Sequence, residues 1–483
     1  MSRTALLAAL IFCVVLGSRV PFAAQQLWAH DSVLYARAIE QGFHVDDDLA
    51  GQRPHPPGYI LYVASANAAH AAGLDSNASL VLISALASAI GAALLFLMTR
   101  RRIGDALALI AALAYAVNPL VWQYSEIAYP YAVLGLGSIA IAWSCVGARG
   151  RGLRPAIAAS VVFGLASGFR QDLLALLFPL WLWCIAPLGV RRMAVAGAAA
   201  AAACLVWLAP TVALSGGPEE YFGALRGQAA YVRDAYSVVA QGWPALVANL
   251  GATGYALAWG LLAMAPLAFA AVALRRTWRD RATGDLGLML LWSVPALSLY
   301  VVLHIGDWGY ALSALPGLYL LGAYALAWLA RAVGRGPALA TGWAALVVAP
   351  ALLFVFAPVP FSASTIAWHD RELVSRFAYV RENFPARATM ILTREDFLLV
   401  RYYLSEYRAR QYDPEPFANP WRRMRTSRVE HVVVFTRGLV PDQPVEVRRV
   451  TCSKGIELVY IDVVPGSVLE FRGERYAVAS PAP

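Results

Sequence analysis

Between residues 4 and 357 the chain runs through eleven apolar stretches, near 4–24, 78–98, 105–121, 131–147, 155–169, 172–187, 193–214, 245–272, 284–304, 310–330 and 337–357. A helix crosses the bilayer's hydrocarbon core of about 30 Å with about 20 apolar residues, and in lipid every backbone polar group must be paired within such a segment. The runs therefore predict an all-α polytopic membrane bundle of about eleven transmembrane helices. Composition agrees, since 59% of residues are hydrophobic and only 14% charged, well off the balance of a soluble domain. The formal charge of +9 rests almost wholly on arginine, Lys454 being the single lysine. Most of these arginines lie in short loops, a pattern that reports membrane orientation and excludes nucleic acid as partner. Of five cysteines, four lie in apolar runs and Cys452 stands apart, so no disulfide framework follows.

Arginine clusters at 100–102, 149–154, 191–192 and 275–281, with Arg331 and Arg335, fall in alternate loops. With the N-terminus inside, all five are cytoplasmic. The opposite face then carries a long first loop, 25–77, the loops 122–130, 215–244 and 305–309, and the tail 360–483. The tail alternates β-rich runs, "HVVVF" and "IELVYIDVV", with the helix-like "DRELVSRFAYVREN". It predicts a small C-terminal extracytoplasmic α/β domain, so that the chain divides into 1–359 and 360–483. Small residues in "VPFAAQQ" leave open a cleaved signal peptide in place of the first span.

The centres of the runs are nearly free of charge, which argues against a transporter, whose ionisable groups sit near the midplane. Ionisable and aromatic residues gather instead at the outer ends, in "WAHDSVLYARAIEQG", "WQYSEIAYPY", "GFRQD" and "HIGDWGY". In the first, His30 and Asp31 precede Val33, Leu34, Ala38 and Ile39 at the spacing of an amphipathic helix lying along the membrane. Asp31 either caps this helix or pairs with His30, and it is at the same time an acid within reach of a lipid head group and a water-soluble partner. In "RPHPPGYILY" the two prolines keep residues 54 to 58 out of helix. Gly58 allows close backbone approach, while Tyr59 and Tyr62 either stack on a sugar or sit in the interfacial aromatic belt.

"DSVLYARAIEQG" followed by "HPPGYILY" resembles the first outer loop of GT-C glycosyltransferases. The nearest patterns are those of family 39, the protein O-mannosyltransferases and the lipid A aminoarabinose transferases, with their bacterial relatives. The resemblance implies a GT-C fold in an inner membrane and an enzyme that moves a sugar from a polyprenyl-phosphate donor to a lipid, glycan or protein acceptor, with inversion. It implies that Asp31 is the catalytic base. Many protein mannosyltransferases carry Asp-Glu at this point, whereas Ser32 follows Asp31 here.

Such a transfer also needs positive charge on the departing phosphate. Arg170 is the candidate, facing a lateral opening between helices, its planar fork matched to phosphate; the alternative is an anchor paired with Asp172. Glu126 would hold the acceptor or assist Asp31. His55 would bind substrate or simply pack; "LHIGDWGYALSALPGLYLL" resembles the late span of the same family, which implies that His304, Asp307 and Tyr310 line the lipid-sugar entrance, with belt anchoring by Trp308 and Tyr310 as the alternative. The run Asp46, Asp47 and Asp48 is either a divalent-cation ligand set or a solvated acidic loop, so no cofactor is certain. Two other classes remain open: a flippase for lipid-linked saccharides, and a non-catalytic scaffold presenting the outer domain.

Overall fold

Over the described residues the apolar runs form helices in the computed structural model, which describes residues 2–46, 53–264, 283–333, 337–393, 396–411, 422–425, 428–435, 440–441, 446–472 and 475–479; the end of the run 245–272, the arginine cluster 275–281 and Arg335 lie outside them. In order these are α1 (Arg3–Arg19), α2 (His30–Gln41), α3 (Ile60–Ala71), α4 (Ser76–Ile103), α5 (Asp105–Ala116), α6 (Pro119–Tyr124), α7 (Tyr131–Ala148), α8 (Leu153–Ala166), α9 (Asp172–Ile185), α10 (Val190–Leu214), α11 (Pro218–Tyr236), α12 (Val238–Gln241) and α13 (Trp243–Leu261). Further apolar helices cover Thr283–Val302, Leu315–Val333 and Pro337–Phe356. The chain divides into two units, Met1–Ala24 with Tyr35–Ile366, and Gln25–Leu34 with Ala367–Pro483.

In the first unit, α4 packs against α1, α5 and α7. Ala89, Ala92, Ala108, Ala112 and Ala116 line a core with Ile11, Val15 and Phe96; such small side chains let helix backbones approach closely. Leu6, Leu10 and Val14 recur every fourth residue of α1 and are each more than half exposed, whereas Ile11 and Val15 are buried. An apolar stripe of this kind belongs in lipid. Leu205 and Val206 of α10 do the same. By length and composition alone, Arg3–Phe22, Ser76–Ile103, Tyr131–Ala148 and Val190–Leu214 suffice to cross a membrane.

Other runs are broken into shorter helices for local reasons. The run 105–121 stops at Ala116, because Asn118 starts a new helix: its Oδ1 accepts the N–H groups of Leu120 and Val121, at 3.0 and 3.3 Å. The run 310–330 opens as a 3-10 turn, Trp308–Ser313, where Asp307 Oδ1 accepts the Gly309 N–H at 2.8 Å. The predicted amphipathic helix forms over His30–Gln41, but Val33, Leu34, Tyr35, Ala36, Ala38 and Ile39 are all buried within protein, on more than one face. Its apolar side is therefore not offered to a membrane surface.

The second unit contains two small sheets and two helices. Strands β1 (Thr389–Thr393), β2 (Arg408–Gln411), β4 (His431–Val434), β6 (Arg448–Ser453) and β7 (Ile456–Asp462) form one sheet in the order β2-β1-β4-β7-β6. "HVVVF" and "IELVYIDVV" supply the antiparallel neighbours β4 and β7, with Val433 opposite Tyr460. A smaller sheet joins β3 (Arg422–Arg425), β8 (Val468–Arg472), β9 (Arg475–Ala479) and β5 (Val440–Pro441). Met390, Leu392, Val432, Val434 and Ile461 form the core. Two helices, Ala363–Asn383 and Phe397–Tyr403, complete the unit. The two units divide between Ile366 and Ala367, and Gln25–Leu34 joins the tail because tail side chains hold its backbone.

Candidate active site

Two sequence motifs meet at Arg170. α8 ends at Ala166, and Gly168 and Phe169 turn the chain through N–H bonds to Leu165 O and Ala166 O, at 3.0 and 3.1 Å. The Gly168 carbonyl accepts the N–H of Leu61, in the first turn of α3, at 3.2 Å. A Cβ on Gly168 would lie 2.5 Å from the Trp207 ring and 2.6 Å from Leu61 Cδ1, so only glycine admits this approach. On the other side, Pro56 and Pro57 make the turn that precedes α3, and the bond between them is cis. Gly58 has φ 98°, and a Cβ there would stand 2.4 Å from Val45 Cγ2. Tyr59 follows in the left-handed region at φ 51°, a conformation that costs an L-residue about 1–2 kcal/mol. What the strained backbone achieves is to put the Tyr59 ring on Arg170.

The Arg170 guanidinium carbon lies 4.6 Å from the ring centres of Tyr59 and Tyr131 and 4.8 Å from that of Tyr310. Its Nη2 and Nε reach the two oxygens of Asp172, at 3.0 and 3.4 Å. Three ring faces and one carboxylate thus surround a cation that is 2% exposed, a favourable setting for cation–π attraction. Burial opposes the charge, but Asp172 and the surrounding phenols hold the pKa above its ordinary value, so the group stays protonated. Arg170 lies beneath the rings and not at an open lateral gap, as its position in the sequence had suggested. Asp172 is the more open member of the pair, with its side chain 22% exposed.

The rings continue outward. Tyr131 contacts Tyr124 and Tyr129, and the Tyr124 hydroxyl donates to Asp307. Tyr300 Oη donates to the Tyr310 carbonyl at 3.0 Å. His55 meets the edge of Tyr59, with ring centres 6.2 Å apart, and its Nδ1 lies 2.7 Å from Pro56 O. His304 is stacked on Tyr236 at 4.2 Å. His55, Tyr59, Arg170, Asp307 and Tyr310 are therefore brought together, with His304 at the edge, next to Gly306. Sequence reasoning missed Tyr131, whose only signal was its place in "AYPY". It also passed over Gln171, whose amide nitrogen and oxygen are both buried without a hydrogen-bond partner among the described residues. Such orphaned groups are costly and suit a ligand.

Glu126 lies elsewhere. It is fully buried, its Oε1 accepts the Trp122 indole N–H at 2.8 Å, and its backbone carbonyl accepts the Ala24 N–H at 2.9 Å. Trp122 in turn carries Arg19 over its face at 4.7 Å and stacks on Phe354 at 4.4 Å. The carboxyl is enclosed, and its Oε2 has no hydrogen-bond partner among the described residues. Burial pushes its pKa up to about 8 from 4.5, against the pull of Arg19 and the Trp122 bond. The folded protein then keeps a proton that the unfolded chain loses near pH 4.5, so this group makes stability fall as pH rises from about 4.5 to about 8. Glu126→Gln keeps the indole bond without the charge. Melting in detergent at pH 6 and pH 9 should show a smaller loss for the variant than for the wild type; equal losses would refute the assignment.

Asp31 and His30 open α2, in the second unit. Ser32 Oγ accepts the Ala29 N–H at 3.4 Å, and the Val33 N–H bonds to Ala29 O at 3.3 Å. Asp31 is partly exposed, and an acid in the first turn suits the helix dipole. Among the described residues no group of three or more His, Cys, Asp or Glu side chains is arranged to hold a metal. Of the acidic run, Asp47 and Asp48 lie outside the described residues.

These features define a multi-pass helical membrane protein with a buried cation in a tyrosine-walled site and a small α/β unit. Residues 55–214 match the family described as Dolichyl-phosphate-mannose-protein mannosyltransferase. Among curated proteins none matches the chain. Its fold is similar to that of ArnT from Cupriavidus metallidurans bound to undecaprenyl phosphate, with a TM-score of 0.58 and 13% identity over 96% of this chain and 99% of that one. It is also similar to the Archaeoglobus fulgidus oligosaccharyltransferase in the apo form, at 0.54 and 12% over 89% of this chain and 69% of that one. The same enzyme tethered to an acceptor peptide with the NVT sequon gives 0.50 and 13%, over 88% and 68%. The chain thus shares its fold with ArnT and with the oligosaccharyltransferase.

Proposed function

We propose that this protein transfers a sugar from a polyprenyl-phosphate carrier to an acceptor on the extracytoplasmic face of a bacterial inner membrane. The observation that carries this reading is the Arg170 site, a permanently charged planar donor held under three tyrosine rings next to the partly exposed Asp172. Such a fork suits a carrier phosphate, and tyrosine faces suit a sugar. The matched family is named for a dolichyl-phosphate sugar, ArnT was crystallised with undecaprenyl phosphate, and the oligosaccharyltransferase was tethered to an acceptor peptide.

In this reading the acceptor hydroxyl attacks the anomeric carbon from the face opposite the phosphate, and configuration inverts. Asp31 takes the hydroxyl proton as the new C–O bond forms. The bond from the anomeric carbon to the phosphate oxygen breaks, and its electron pair leaves with the carrier phosphate, whose charge Arg170 balances. Tyr59 and Tyr310 wall the sugar, His55 flanks it, and His304 and Asp307 shape the entrance; His30 belongs with Asp31. Glu126 takes no part.

The test is transfer of labelled sugar from a polyprenyl-phosphate donor by the purified protein in liposomes, followed as release of carrier phosphate. No release from any lipid-linked sugar by folded protein would sink the reading. Topology supplies a second expectation: the arginine loops put the tail outside, so a reporter fused after Pro483 should be active only beyond the cytoplasm. Cytoplasmic activity would remove the outer-face assignment.

A further inference from the structure

Residues 23–29, between a 3-10 turn at Val20–Phe22 and α2, have no regular structure, yet the backbone groups of Gln25, Gln26 and Leu27 are satisfied one after another by tail side chains. Asp370 Oδ2 accepts the N–H of Gln25 at 2.8 Å, and Oδ1 accepts that of Gln26 at 3.0 Å. The next N–H, from Leu27, donates to the Tyr403 hydroxyl at 2.9 Å. His369 Nε2 lies 3.2 Å from the Leu27 carbonyl. A carbonyl only accepts, so Nε2 carries the proton. The His369 ring also packs on Trp28, with centres 4.4 Å apart, and Leu27 is fully buried. Three consecutive N–H groups, one carbonyl and one indole are thus held by a single patch of the helices Ala363–Asn383 and Phe397–Tyr403.

A loop bound through its own strand ladder would not need such contacts. This one depends on them, and α2 begins only three residues after Leu27. We infer that His369, Asp370 and Tyr403 form a clamp that fixes the entry to α2 and so positions Asp31 for proton transfer. The inference rests on the proposed role of Asp31 as base. The tail unit thereby becomes a working part of the transferase, and not a separate binding module. A displacement of about 1 Å at a reacting group can cost about 10²-fold in rate, so a loosened loop should be visible in turnover.

Two measurements test this. In hydrogen exchange on the full-length protein, Asp370→Ala and Tyr403→Phe should speed exchange of the amides of residues 25–27, while β1 and β4 stay protected. Unchanged exchange at 25–27 would overturn the clamp whatever the enzyme does. In the liposome assay, Asp370→Ala should lower kcat by about 10–100-fold with little change in KM for the lipid donor. In an Asp31→Asn background the same change should cost almost nothing more, because the base it positions is gone. Multiplying losses would mean that Asp370 acts apart from Asp31. Faster exchange in a protein with no transfer activity would keep the clamp and sink the proposed reaction instead.

Discussion

Asp31→Asn should lower sugar transfer by about 10²–10⁴-fold while leaving expression and melting behaviour as in the wild type. Asparagine keeps the shape of the side chain and its place in the first turn of α2, but it cannot take the acceptor's proton. The structure supports the expectation that the fold survives. Asp31 is partly exposed, and the loop before it is fixed by backbone bonds to Asp370 and Tyr403 that do not involve its carboxylate. Asp31→Glu should recover little, because one extra methylene moves the base by about 1 Å and such steps depend on geometry. The comparison requires matched melting curves for all three proteins in the same detergent. Near-normal transfer by the Asn variant would end the candidacy of Asp31.

Much of the bundle could be read from apolar periodicity, because in lipid a helix is almost the only way to pair backbone groups. α4, α7 and α10 follow their runs closely. The readings slipped where a single polar side chain rewrote the local backbone: Asn118 split one run, and Asp307 wound the start of another into a 3-10 turn. In the tail, β4 and β7 were visible as short β-rich runs flanked by turn residues. The site was half visible. "HPPGY" and "GFRQD" announce themselves through glycine, proline and an isolated charge, and both lead to Arg170. Tyr131 does not, since a tyrosine near a helix end looks the same whether it anchors the protein in the interface or lies over a buried guanidinium. Glu126 was misplaced for the same reason. Its neighbours "WQYSEIAYPY" read as an interfacial loop, whereas its carboxyl is fully buried and bonded to the Trp122 indole. The clamp on Gln25, Gln26 and Leu27 joins residues some 345 positions apart through backbone amides, and backbone amides carry no sequence signal.

Arg170→Ala should raise KM for the lipid donor and lower kcat/KM by an amount corresponding to about 1.5–3 kcal/mol, the loss of one charge-assisted contact in a partly desolvated site. The competing account is that Arg170 serves only to bind Asp172 and fill the space among Tyr59, Tyr131 and Tyr310. That account predicts a different result: melting temperature would fall and donor KM would stay put, because an anchor touches no substrate. Arg170→Lys separates the two further. An ammonium keeps the charge but cannot reach both Asp172 oxygens, at 3.0 and 3.4 Å, while presenting a flat face to three rings and a second edge to phosphate. It should restore part of the stability and little of the donor affinity. Tyr59→Phe leaves the ring over the guanidinium and removes only the hydroxyl, so its donor KM should stay within a few-fold of wild type. If Arg170→Ala lowers stability yet turns over lipid-linked sugar at the wild-type KM, the cation is an anchor, and the carrier phosphate must be met elsewhere.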